Sequence, residues 1–284
     1  LRGITLLFVA VKESECTRND DITVITTDGV QLQCRRWSHP EGARAVVVVV
    51  HGFASGRDNP DVKALADQLF SAHLDVVTYD ARGHGLSEGH CGVGSTEHLD
   101  VAGVVSQVAT GDLPVVLIGV SMGAVAVVSH LARIDARDEP VVGAVLVSAP
   151  SRWRMRPSAV GLLMALVTRS GVGRWAASRW LGVRIERGWW PGETPESAIV
   201  RIGIPVVVVH GEADRLLTSS HARRLHTSGR ASNRLRLVQG MGHGLDALGQ
   251  GAVLEAVQWL LSDRGVDLPG ATLTRESPVP PAAA

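Results

Sequence analysis

Lysine is nearly absent from this chain: Lys12 and Lys63 are the only two, and arginine supplies the rest of its 28 basic residues. Those are balanced by 28 acids, so a formal charge of zero offers no field to gather a polyanion, and nucleic acid is not an expected partner. Cysteine is scarce as well. Cys16, Cys34 and Cys91 are odd in number, far apart and without C-x-x-C spacing, which speaks against a disulfide framework and for a reducing, cytoplasmic setting. Long apolar runs are missing. The stretch 3–11 after Arg2 looks like the core of an export signal, yet it lacks a small-x-small cleavage site and is too short to span a bilayer. Residues 1–20 are read as an N-terminal extension, and residues 264–284, ending in a proline-rich stretch, as a disordered tail. No internal repeat or long linker is visible. A chain of 284 residues suits one α/β domain with a modest insertion, able to bury about three-quarters of its extended surface.

Glycine, by contrast, is plentiful at 31 residues, and two of them frame the most informative segment. Gly119-Val120-Ser121-Met122-Gly123 follows the apolar run 115–118 and precedes the helix-prone stretch 124–133. A serine pushed out at a sharp strand-to-helix corner needs small residues two positions before and after it, because the turn leaves no room for side chains there. The segment therefore reads as a nucleophile elbow with Ser121 at its tip. Upstream, the alanine and five valines of 45–50 end in His51-Gly52-Phe53-Ala54, the form of a buried strand that delivers a backbone N–H to an oxyanion hole. Downstream, the buried strand 205–210 closes in Gly211-Glu212-Ala213-Asp214, and the strand 234–238 runs into Gly240-Met241-Gly242-His243-Gly244. Serine, then acid, then histidine is the chain order of α/β-hydrolases and differs from the orders of other triad folds.

On these residues the chain resembles an α/β-hydrolase of the monoacylglycerol lipase and serine aminopeptidase type, over roughly residues 22–262. The segment Asp80-Ala81-Arg82-Gly83-His84-Gly85-Leu86-Ser87 is similar to that group's aspartate-x-arginine-glycine-x-glycine-x-serine loop after the fourth strand. The chain departs from many relatives at Val120, where they carry histidine. The resemblance implies Ser121 as nucleophile, His243 as general base, Asp214 as its orienting acid, and the N–H groups of Phe53 and Met122 as the oxyanion hole. It implies hydrolysis of small or medium acyl esters, monoacylglycerol-like or lysophospholipid-like, with no metal and no organic cofactor. Aminopeptidase, thioesterase and acyltransferase reactions run on the same triad, and a ligand-binding protein that keeps the fold without turnover is the alternative from another class.

These residue types suit that chemistry. A serine hydroxyl is a poor nucleophile until an imidazole takes its proton, and imidazole, with a reference pKa of about 6.5, does so near neutral pH. The acid fixes the tautomer, and two backbone N–H groups hold the oxyanion. Asp246, three residues past His243, and Glu212, two before Asp214, are rivals for the acid. Asp80, Arg82 and His84 are read as fixing the glycine loop, and His51 as positioning the oxyanion loop at the substrate side.

Alternating strand and helix patterns predict an α/β fold: a mostly parallel sheet with helices on both faces. A hairpin is expected over 22–34 around Asp28-Gly29, a helix capped by Asn59-Pro60, strands at 75–79, 114–118 and 141–148, and a closing helix at 252–261. The core is then 21–150 and 201–263. Residues 151–200, after the sixth strand, form a small helical cap. This stretch holds Trp153, Trp175, Trp180, Trp189 and Trp190 of the seven tryptophans, and of these Trp153, Trp189 and Trp190 are candidates to meet a small ester substrate. Its stretch 158–168 is apolar around most of a helix, and eight arginines face the single acid Glu186 before residue 191. Such a helix suits an anionic lipid surface; the alternative is a tryptophan-packed lid with solvated arginines. Two motifs are set aside: His84, His90, Cys91 and His98 fit no zinc spacing, and Gly171-Val172-Gly173-Arg174-Trp175-Ala176 matches a dinucleotide fingerprint in letters but follows no strand.

Overall fold

A computed structural model describes residues 18–109, 111–135, 139–153, 168, 170–187 and 192–262. The expectations for residues 1–17, for the helix at 158–168 other than Thr168, for Trp189 and Trp190, and for the tail beyond 262 lie outside these residues.

Eight strands form one sheet: β1 (Arg18–Ile25), β2 (Gln31–Ser38), β3 (Val46–Val50), β4 (Asp75–Tyr79), β5 (Val115–Val120), β6 (Val141–Val147), β7 (Val206–Gly211) and β8 (Arg234–Val238). Their order is β1-β2-β4-β3-β5-β6-β7-β8. β2 runs antiparallel to β1 and β4, and the other neighbours are parallel. Asn59 accepts the N–H of Asp61 and opens α1 (Pro60–Ser71) with proline at its start, as the sequence predicts. The other helices among the described residues are α2 (His98–Val108), α3 (Met122–Leu131), α4 (Gly171–Ala176), α5 (Pro195–Ala198), α6 (Ser219–Ser228) and α7 (Ala247–Ser262), with a π-helical turn at Ala177–Leu181 and a 3₁₀ turn at Ile199–Arg201.

The central strands show why an unbroken valine run is a strand here. Val46, Val48 and Val50 join Leu117 and Leu146 under α2 and α3, whereas Val47 and Val49 join Ile118 and Val145 under α1 and α7. Each strand thus feeds two cores at once, and a fully buried valine contributes roughly 1.5 kcal/mol or more. With the sheet centre fixed in this way, the loops at its carboxyl edge can carry function, and the elbow, the oxyanion loop and the acid all leave from that edge.

Two boundaries correct the sequence reading. β1 begins at Arg18, inside the stretch assigned to the extension, because Asp21 sits opposite Arg35 and accepts from it at 2.9 Å, carrying the hairpin register outward to Arg18 and Ser38. The last helix begins at Ala247, five residues early, because Asp246 caps it: its Oδ1 accepts the N–H of Gly249 at 2.9 Å. Cys34 and Cys91 are both buried free thiols. No helix among the described residues is long and apolar enough to cross a membrane. They include no group of three His, Cys, Asp or Glu side chains arranged to hold a metal ion.

Candidate active site

Ser121 stands between β5 and α3 with φ of +51°, a conformation that L side chains rarely adopt. The two glycines of its motif make the corner physically possible. A Cβ on Gly119 would lie 2.6 Å from Ala124 Cα, and one on Gly123 would lie 2.2 Å from Val50 O. The N–H of Ser121 donates to Val147 O at 2.8 Å, tying the elbow to β6. Ser121 Oγ lies 3.1 Å from His243 Nε2, and His243 Nδ1 lies 2.8 Å from Asp214 Oδ2. A carboxylate accepts, so Nδ1 carries the ring proton and Nε2 is left as the acceptor facing the serine hydroxyl.

Of the three candidate acids, Asp214 is the one hydrogen-bonded to the imidazole. Asp214 Oδ1 accepts the N–H groups of Leu216 and Leu217 at 2.8 and 2.9 Å, and the side chain is fully buried. Burial works to raise its pKa, but the hydrogen bond with His243 and the two backbone donors outweigh it and hold the carboxyl below its ordinary value. Of the rivals, Glu212 is exposed, and both carboxylate oxygens of Asp246 are taken by backbone N–H groups, of Gly242 and Gly249.

The loop that carries Phe53 lies against the elbow: a Cβ on Gly52 would stand 3.3 Å from Val120 O and 3.5 Å from Ser121 Cβ. Two buried histidines hold it. His51 donates from Nδ1 to Gly52 O at 2.7 Å and accepts the N–H of Ala81 at Nε2, 2.9 Å away. His84 donates from Nδ1 to Arg82 O at 3.2 Å and accepts the N–H of Ala54 at 3.3 Å. His51, a candidate to meet substrate, has both ring nitrogens engaged and is 1 % exposed, so in this structure it braces the loop. Met122, the other oxyanion candidate, is the first residue of α3, where a backbone N–H has no partner within the helix. Asp80 joins the two loops by accepting from Arg57 N and Leu86 N, and Arg82 donates to Asp100 and Asp28, so these side chains hold the glycine loop in place.

Trp153 is half-buried, and its indole N–H donates to Gly192 O at 2.9 Å, tying together two distant points of the stretch 151–200. Three site-supporting residues escaped the sequence reading. Glu97, fully buried, accepts from Gly92 and Gly94 at 2.7 Å each and fixes the loop beneath α3. Ser148 Oγ accepts the N–H of Gly244 beside His243. His210 donates from Nε2 to Leu217 O at 3.1 Å, bracing the turn around Asp214. Only the glutamate had a readable signal, an acid at the start of a helical pattern, and its burial is invisible in one dimension.

The buried histidines have a measurable consequence. Burial lowers the pKa of His51, His84, His98, His210 and His221, that of His84 to about 3. A histidine kept neutral in the fold contributes in full above the pKa of the unfolded chain, about 6.5, and loses its contribution as pH falls, since the unfolded chain takes up a proton that the folded one refuses. For His84 the window runs from about 6.5 down to about 3. Glu97 and Asp100, raised by burial, Asp100 to about 7, act in the opposite sense. Urea unfolding of wild type beside His84→Gln should show the wild type losing stability relative to the variant as pH falls from about 6.5 toward 3. A constant difference between the two there would contradict the neutral brace.

Comparison with known proteins agrees with this architecture. The family described as serine aminopeptidase, S33, matches residues 41–187. A monoglyceride lipase of Mus musculus is 27% identical over 257 residues, covering 78% of this chain and 82% of the relative. Among solved structures, an esterase of Pyrococcus furiosus superposes with a TM-score of 0.66 at 18% identity, covering 87% of this chain and 93% of that one. An esterase of Exiguobacterium antarcticum gives 0.65 at 16% identity, covering 85% and 99%. At these identities the structures speak for the fold alone, an α/β-hydrolase with an eight-stranded, mostly parallel sheet.

Proposed function

We propose a specific reaction for this chain, which belongs to the serine aminopeptidase S33 family of α/β-hydrolases and is a hydrolase of the esterase and lipase type: hydrolysis of carboxylic esters through an acyl-enzyme on Ser121. The observation that carries the reading is the unbroken contact from Ser121 Oγ through His243 to Asp214, 3.1 and then 2.8 Å, beside a loop braced from below. In the first half-reaction His243 Nε2 takes the hydroxyl proton as Oγ attacks the ester carbonyl. The N–H groups of Phe53 and Met122 receive the developing oxyanion, each worth about 3 kcal/mol in comparable sites. The imidazolium, steadied by Asp214, returns its proton to the departing alcohol. Water then repeats the sequence, and the acid leaves with Ser121 restored.

Esters are favoured over peptides by the acids near the insertion. An aminopeptidase holds the substrate ammonium with a carboxylate, yet Glu193 is engaged by Arg201 and Glu196 by Arg152, which leaves the exposed Glu186 as the acid of the insertion to set against eight arginines. The relative named as a monoglyceride lipase supports esters of the monoacylglycerol kind. The insertion also exposes Val172, Trp175, Trp180 and Leu181, the two indoles meeting edge to face at 5.8 Å, beside Arg174 and Arg179. That combination supports a peripheral contact with anionic lipid.

The test is a p-nitrophenyl ester series from acetate to palmitate beside an aminoacyl p-nitroanilide, in buffer and in anionic vesicles. Turnover of the esters with little of the anilide is expected, and replacing Trp175 and Trp180 by alanine should lower only the vesicle rate. Anilide turnover exceeding that of every ester would overturn the ester reading.

A further inference from the structure

The insertion returns to the core through residues 183–186, and there it is tied to the loops that flank Ser121. Arg184 N–H donates to Gly83 O at 2.8 Å, Cys91 N–H to Arg184 O at 2.6 Å, and Glu186 N–H to Cys91 O at 3.0 Å, with Cys91 and Ile185 paired in a parallel bridge. The Arg184 guanidinium adds hydrogen bonds to the carbonyls of Gly89 and Ser87. The fit leaves no slack: a Cβ on Gly83 would stand 2.4 Å from Cys91 N and 2.6 Å from Arg184 O. Behind this seam Val183 and Ile185 are buried in one apolar cluster with Ala177, Cys91 and Met122, and Phe53 and Val93 pack against it. Cys91 makes the nearest link, its thiol donating to Met122 Sδ at 3.6 Å. On the far side of Cys91, Glu97 pins the loop that lies against α3 at Val125.

Both residues whose N–H groups are assigned to the oxyanion thus belong with Val183 and Ile185 of the insertion to one apolar cluster, Met122 within it and Phe53 packed against it. We propose that Val183 and Ile185 are positioning residues for the oxyanion hole, so that the insertion sets the rate of acyl transfer as well as access to the site. The inference rests on the ester-hydrolase reading above. Oxyanion donors must stand about 2.7–3.1 Å from the developing charge, and misplacement by about 1 Å in such a site costs on the order of a hundredfold in rate. A cavity beneath Met122 and Phe53 should therefore act on the transition state and leave ground-state binding nearly unchanged.

The test compares wild type with Ile185→Val, Ile185→Ala and Val183→Ala, using p-nitrophenyl acetate, butyrate and octanoate and a trifluoromethyl ketone whose hemiketal oxyanion occupies the same hole. The alanine variants should lose about tenfold in kcat on all three esters alike, Ile185→Val less, with the ketone weakened by a matching factor and KM within about twofold. A loss that grows with chain length while acetate turnover is intact would make the segment a pocket wall and overturn the proposal. So would unchanged kcat and ketone affinity in folded variants. Should Ile185→Ala fail to fold, Ile185→Val and Val183→Ala carry the same comparison. A wild type without turnover on any ester sinks the ester reading and this inference together, whereas an active wild type with indifferent variants sinks this inference alone.

Discussion

Ser121→Ala is expected to lower kcat for ester hydrolysis by on the order of 10⁶, with KM little changed and labelling by a fluorophosphonate abolished. The size follows from what the hydroxyl does: without Oγ no acyl-enzyme forms, and the oxyanion donors and His243 are left to assist water alone. The fold should survive, because the substitution removes only the contact with His243, about 1 kcal/mol at most, and leaves the Ser121 backbone bond to Val147 in place. Purified variant and wild type should therefore melt within a few degrees of each other while differing in rate by orders of magnitude. An alanine variant that retains a tenth of the activity would mean that Ser121 is not the nucleophile.

Asp214→Asn should cost on the order of 10⁴ in kcat near neutral pH. Its remaining carbonyl can still accept from Leu216 and Leu217, so the turn is kept. The new amide, however, donates toward Nδ1 of His243, which moves the ring proton to Nε2 and takes away the acceptor that Ser121 needs. Glu212→Gln, on an exposed residue, should stay within about twofold of wild type, and Asp246→Asn should act mainly on the stability of α7. Equal losses in Asp214→Asn and Glu212→Gln would reopen the choice of acid.

The parts of the fold that sequence made legible are those written locally. The valine run at β3, the proline after Asn59 and the glycines around Ser121 each encode a strand, a helix start and a sharp corner within a few residues. Asp246 was legible too, but as a helix cap in place of a rival acid, and reading it so would have moved the start of α7 to Ala247. Contacts between distant segments were not legible. Nothing near Glu97 announces that its carboxylate is buried under the elbow, and nothing near Arg184 announces a backbone seam with Gly83 and Cys91, since both depend on loops 90 or more residues away or on burial that only the packed sheet creates. The bracing by His51 is of the same kind: its neighbours in sequence suggest the substrate side, while its two ring nitrogens are engaged by Gly52 O and Ala81 N–H.

The most direct test of the central claim is to catch the acyl group. Wild-type protein quenched in acid during turnover of a p-nitrophenyl ester, digested and weighed by mass spectrometry, should carry one acyl group on the peptide that contains Ser121, with a burst of p-nitrophenol equal to the enzyme present. Steady ester hydrolysis with no burst and no acylated Ser121, or with the acyl group on another residue, would contradict it.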